Sequence, residues 1–199
     1  MRLPILQYGS PVLRAKGKRV DPIDDRIREL AANMIETMRA ANGVGLAAQQ
    51  IGEALQLTVV DVSQVEDRPS TLRLNGKEVD PKEASPFVLI NPEITLGAET
   101  ALGIEGCLSF PEVTGEIERA ESVKLRAETL DGSSIELEAT GLLARALQHE
   151  MDHLNGILFI DRMNSAAKTA LASRLRRMQK DTERGIKKSR RPLETQTAL

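Results

Sequence analysis

The stretch Gln148-His149-Glu150-Met151-Asp152-His153-Leu154-Asn155-Gly156 carries both histidines of the chain, four residues apart around a glutamate, in the H-E-x-x-H pattern. On a helix, residues four apart lie one above the other, so both imidazoles can reach one metal ion while Glu150 sits beside it. The flanking sequence supports a helix. Leu143, Leu147, Glu150 and Leu154 form one stripe and Leu142, Ala146, His149 and His153 the adjacent one, with Gly141 and Gly156 as start and stop signals. A metal face that borders an apolar face places this helix at the centre of a core. The pattern also arises by chance in helices whose histidines bond to carbonyls or solvent. Two histidines are, moreover, one ligand short of the three that a catalytic zinc-type site generally takes.

At 199 residues the chain fits one domain with a sizeable core. No apolar run reaches the roughly 18 residues of a membrane span, and Met1 to Leu6 lacks the apolar core of a signal peptide, so a soluble, cytoplasmic chain with no membrane partner is expected. The single cysteine, Cys107, excludes an internal disulfide and fits a reducing compartment. Three Phe, one Tyr and no Trp imply an aliphatic core with few platforms for stacking on single-stranded nucleic acid. The net charge of −2 hides an asymmetry: between Ser165 and Arg191, ten Lys or Arg stand against Asp181 and Glu183 alone.

Working outward, residues 3 to 20 read as an irregular arm with turns at Gly9-Ser10-Pro11 and Gly17, packing as a lid or brace. Asp21 and Asp24 are helix-start residues, and Ile27, Leu30, Ala31, Met34, Ile35 and Met38 follow at helical spacing up to Asn42-Gly43. The small residues of Gly43 to Gly52 suit either a close backbone approach to a ligand or a tight turn into the core. Leu57 to Val62 reads as a buried strand, and residues 64 to 85 as an exposed excursion with a hairpin at Asn75-Gly76. Phe87 to Ile90 and Glu93 to Leu96 read as strands broken at Asn91-Pro92. Residues 123–129 and 135–139 alternate apolar with charged about Asp131-Gly132, the pattern of a hairpin with one wet face. Beyond the histidines, Ile157 to Ile160 suggests a short strand. Ala166 to about Lys187 suggests a basic helix with Leu171, Leu175 and Met178 as a narrow apolar seam, and the last dozen residues look frayed. The expected class is α+β: one domain of antiparallel or mixed strands around the central helix, with residues 1–164 as its body and 165–199 as a C-terminal helix and tail.

Cys107 lies in Glu105-Gly106-Cys107-Leu108-Ser109-Phe110-Pro111. A lone cysteine is often a small buried hydrophobe. With two histidines at helix spacing, however, S, N and N is the simplest way for this chain to complete a three-ligand site.

Three segments, Gly43 to Gln50, Glu105 to Ser109 and Gln148 to His153, occur in the order and with the residues that mark the peptide deformylase family. The resemblance runs from Leu3 to about Met163. It implies a single α+β domain that removes the formyl group from the N-terminal formylmethionine of new polypeptides with one metal ion, usually iron(II), with zinc, nickel or cobalt serving in purified protein. It also implies Cys107, His149 and His153 as metal ligands and Glu150 as catalytic acid/base. Gln50 and the backbone N–H of Leu108 become oxyanion donors. Gly43, Glu105 and Leu142 line the methionine pocket, and the backbone at Val44 and Gly45 pairs with the extended peptide. By the same resemblance the basic C-terminal helix would dock on the ribosome near the nascent-chain exit; a solvated helix face explains the charges equally well. Sequence-specific nucleic-acid binding is not expected.

Two rival readings differ in kind. A zinc-dependent protease shares H-E-x-x-H, but the extended H-E-x-x-H-x-x-G-x-x-H form fails because position 159 is Phe, and the downstream acids Glu183 and Glu194 lie in the basic tail. A non-catalytic binding module would draw support from that tail, yet it has no evident need for Glu150 and Gln50.

Overall fold

The computed structural model describes residues 1–189. The expected frayed end, and with it Arg190 and Arg191, lies from residue 190 onward outside them. In chain order the described residues form α1 (Asp25–Ala40), β1 (Gly45–Ala47), β2 (Leu57–Val60), β3 (Leu72–Leu74), β4 (Lys77–Val79), α2 (Pro81–Ala84), β5 (Phe87–Leu96), β6 (Thr100–Cys107), β7 (Phe110–Ala120), β8 (Ser122–Glu128), β9 (Ser134–Thr140), α3 (Gly141–Leu154), α4 (Phe159–Arg162) and α5 (Ser165–Ser189). Short 3-10 turns stand at Pro11–Arg14 and Ala48–Ile51.

One antiparallel sheet runs in the order β1-β2-β5-β8-β9-β3-β4, and β6 and β7 form a separate two-stranded ribbon. The expected α+β class is borne out, with the histidine helix α3 packed between sheet and ribbon. Its apolar stripe, Leu143 and Leu147, is buried against Leu125 and Leu137 of the sheet. Each such side chain contributes about 1.5–3 kcal/mol of burial. On the other flank α1 buries Met34 and Met38 against Leu46, Leu57, Val59 and Ile90. Asp24 starts α1 as expected, its Oδ1 accepting from the Ile27 N–H at 3.0 Å.

The N-terminal arm is a brace. Its backbone bonds to the ends of the first two motif segments and to the last residue of α3: Leu6 N–H to Gln50 O (2.7 Å), Tyr8 N–H to Ser109 O (2.9 Å) and Gly17 N–H to Leu154 O (2.8 Å).

Several expectations need correction. Residues 87–96 are one strand: the pairing register with β8 shifts between Ile90 and Glu93, so Asn91-Pro92 makes a bulge and not a break. Asn91, at φ 50°, turns its side chain to Val20, accepting from the N–H at 2.8 Å and donating to the carbonyl at 2.9 Å. Residues 157–160 do not add a strand. Leu158 is the N-cap of the single-turn helix α4, and Asp161 accepts from its N–H at 2.8 Å. The segment 64–85 does form the hairpin at Asn75-Gly76, but β3 also pairs with β9 and buries Leu72, so it widens the main sheet. Its residues Pro69 and Ser70 cap α3. Thr140 makes no side-chain cap; instead Ser70 Oγ accepts from the Leu143 N–H at 2.9 Å and Pro69 O from the Leu142 N–H at 3.3 Å.

The ribbon is the element that the sequence pattern concealed. Along β6 the alternation places Leu102 and Ile104 outward, 68% and 65% exposed, while Glu105 faces in and is buried. That inverts the apolar-inside rule by which strands are recognised. On the ribbon's far side Phe110, Val113 and Ile117 join Leu13, Phe159 and Met163 in a third cluster, on which Leu171, Leu175 and Met178 of α5 rest as the expected seam.

Candidate metal centre

The chain brings the three motif segments to one cleft. A cavity of about 520 Å³ is walled by Gly43, Val44, Gly45, Gln50, Glu105, Cys107, Leu108, Leu142, His149 and Glu150, every predicted site residue except His153. His153 lies behind that wall, 1% exposed, with Nε2 3.3 Å from Cys107 Sγ.

Two elements place the three candidate ligands. β6 ends at Cys107 just as the ribbon turns back, and α3 presents His149 and His153 one turn apart, their rings 5.0 Å between centroids. One donor atom from each of the three lies within 4.8 Å of the others, the spacing of ligands that share an ion. The surroundings fit a cation. Glu105 Oε2 lies 3.0 Å from His149 Nδ1, which leaves Nε2 as the free donor of that ring. Burial alone would depress the His149 pKa, but hydrogen bonds with Cys107 and Glu105 and the negative charges of Cys107 and Glu150 reverse this and lift it to about 10. The site therefore draws positive charge to this point. His153 is held neutral, its pKa pushed well down by burial and by the charges of His149 and Arg119, so it can offer a lone pair. Among the described residues its Nδ1 is buried without a hydrogen-bond partner, so none of their carboxylates or carbonyls orients this ring as Glu105 orients His149.

Glu150 is 3% exposed and faces Gly45, and Thr58 Oγ1 lies 3.3 Å from its Oε2. Burial raises its pKa to about 7. Gln50 is fixed at both ends: Oε1 accepts from the Ala47 N–H at 2.9 Å, and Nε2 points to Cys107 Sγ at 3.4 Å and Ser109 Oγ at 3.3 Å. Its amide nitrogen therefore lies beside Cys107 at the cleft wall.

Sequence reasoning missed the buried charges behind the cleft. Arg119 of β7 donates to both oxygens of Glu105, at 2.9 and 3.0 Å, and to Asp152 Oδ2 at 2.5 Å. Arg145 of α3 donates to Glu105 Oε1 at 2.9 Å. Burial pushes the Glu105 pKa up, but the bonds from His149 and Arg119 outweigh it and bring it to about 2. The available signal was spacing: Arg145 and Asp152 stand on the same helix as the histidines, where charged residues require partners if buried.

The family model described as polypeptide deformylase matches residues 2–169. A peptide deformylase of Opitutus terrae is 41% identical over 189 residues, which span 94% of this chain and 98% of the relative. Among solved structures, the peptide deformylase of Thermotoga maritima superposes with a TM-score of 0.70 at 39% identity, covering 82% of this chain and 99% of that one. Peptide deformylase 1B of Arabidopsis thaliana, crystallised with an inhibitor, gives 0.79 at 34% identity over 93% of each chain. With one Cys and two His converging beside a buried glutamate, and with relatives matching along nearly all of its length, the chain belongs to the polypeptide deformylase family.

Proposed function

We propose that this chain hydrolyses the N-terminal formyl group of formylmethionyl nascent peptides and releases formate. The observation that carries this reading is the convergence of Cys107, His149 and His153 next to buried Glu150. The three ligands hold one ion, which we assign as iron(II), with zinc, nickel or cobalt able to replace it in purified protein. When bound, such an ion supplies Lewis acidity that lowers the pKa of water from 15.7 to about 7.

Glu150 takes the proton of the attacking water as its oxygen bonds to the formyl carbon. The same carboxyl then returns the proton to the methionine nitrogen as the C–N bond breaks, and a pKa near 7 suits both transfers. The charge that develops on the formyl oxygen is met by Gln50 Nε2 and the Leu108 N–H, donors held in place before reaction. Gly43, Glu105 and Leu142 line the methionine pocket. β1 is the first strand of the sheet, so the backbone at Val44 and Gly45 has an open edge on which an extended peptide can add as a strand.

Residues 1–164 form the catalytic body and the helix from 165 onward is an appendage of the same domain, working in the cytoplasm. Among the described residues no helix is long and apolar enough to cross a membrane. We assign the exposed basic face of α5, including Arg176, Arg177 and Lys180, to ribosomal RNA near the nascent-chain exit. Each phosphate contact would make binding fall by about 0.7 to 0.9 log units per log unit of salt. Neutralising those three residues should reduce ribosome co-sedimentation at low salt; unchanged co-sedimentation would return the charges to a solvated face. For the reaction itself, purified protein should release formate from formyl-Met peptides and leave internal peptide bonds intact. Cleavage of internal bonds without formate release would favour the protease reading.

A further inference from the structure

Arg145 stands one helical turn before His149 on α3, so both side chains leave the same face of the helix. Its guanidinium bridges that helix to both strands of the ribbon. Nη1 donates to Glu105 Oε1 (2.9 Å) and to Ile117 O (2.9 Å), and Nη2 donates to Ala101 O (2.8 Å). The side chain is 12% exposed. Burying a guanidinium costs several kcal/mol unless its N–H groups are paired, so an apolar residue would satisfy packing at this place more cheaply.

Room for the guanidinium comes from Gly103 of β6. A Cβ there would lie 2.8 Å from the guanidinium carbon and from Nη2, and 3.0 Å from Nε. Gly103 and Arg145 are thus two halves of one contact, which joins α3 to the ribbon where the ribbon delivers Glu105. Arg119 grips Glu105 through both oxygens from β7, the neighbouring strand of that same ribbon. Arg145 is the grip that comes from the helix carrying His149.

We infer that Arg145, seated over Gly103, is a positioning residue for the metal ligand His149: it locks Glu105 to α3, so that Glu105 holds His149 Nδ1 and aims Nε2 at the ion. The inference rests on the metal-centre reading above.

The test uses the full-length zinc-loaded protein and the rate of zinc transfer to a chelator. Arg145→Met and Gly103→Ala should each release zinc about 10- to 100-fold faster, the usual effect of losing a partner behind a metal ligand. Arg145→Lys, which keeps the charge but cannot reach three acceptors, should fall between. Because Gly103 acts through the guanidinium, the double variant Gly103→Ala/Arg145→Met should release zinc no faster than Arg145→Met. In proton–nitrogen spectra the Nδ1–H signal of His149 should broaden in Arg145→Met while that of His153 is unchanged. Release within twofold of the parent in Arg145→Met, or additive effects in the double variant, would overturn the inference. If Arg145→Met does not fold, Gly103→Ala and Arg145→Lys decide by the same twofold limit. A parent protein that retains no zinc would overturn the metal-centre reading itself; retention by the parent with unchanged variants would overturn this inference alone.

Discussion

Gly45 and Glu150 meet across the cleft so closely that a Cβ on Gly45 would fall on the Glu150 carboxylate, far inside van der Waals contact. Only hydrogen at position 45 leaves the carboxylate where it stands. Gly45→Ala should therefore displace Glu150 while leaving the ligands in place. The expected result is a full complement of metal with turnover lowered by at least about 10², the lower end of what a positioned acid/base contributes. Metal analysis and kcat on the same preparation check it; near-normal turnover would show that the carboxylate can move without consequence.

Glu150→Gln keeps the shape and removes the base. Burial has already raised the Glu150 pKa to about 7, so a neutral amide is tolerated there, and the variant should fold and hold metal. Turnover should drop by about 10² to 10⁴. Activity within tenfold of the parent would remove Glu150 from proton transfer.

Gln50→Ala tests the oxyanion donor. It removes Nε2 beside Cys107 and also the bond that Oε1 accepts from the Ala47 N–H. Loss of one such donor typically costs about 10² to 10³ in rate. The loss should appear in kcat, with KM for a formyl-Met peptide little changed, since the interaction strengthens in the transition state. A change confined to KM would make Gln50 a ground-state binding residue.

Cys107→Ala should abolish tight metal binding, because the remaining pair of imidazoles is one ligand short. Elemental analysis after chelator treatment measures this directly. The thiolate also carries a liability: an iron(II)-loaded protein should lose activity in peroxide faster than a nickel-loaded one as metal and sulfur oxidise. Equal lifetimes would place the weak point elsewhere.

Arg119 is 4% exposed and ties Glu105 to Asp152. Arg119→Met removes the cation and leaves two carboxylates in the interior. Breaking a buried pair in this way costs about 3 to 5 kcal/mol. Denaturant unfolding should show that loss, and a change below about 1 kcal/mol would mean that Arg145 and Arg162, which also touch these carboxylates, compensate.

The sequence by itself determined the parts of this protein whose signal is local. The histidines four apart, the apolar stripe through Leu143 and Leu147, the Asp24 cap and the alternation of 123–129 with 135–139 each follow from the period of one element, and each appears where expected. The candidate ligands stood out because the chain has one Cys and two His, and one donor atom from each lies within 4.8 Å of the others. Tertiary structure alone decided the rest. The ribbon of β6 and β7 escaped because Leu102 and Ile104 face water while Glu105 and Arg119 are buried, and burial of a charge is affordable only once its partners arrive from other elements. The same holds for the excursion 64–85, whose Ser70 caps a helix that begins at Gly141. No periodicity within either segment encodes a bond between residues 73 positions apart.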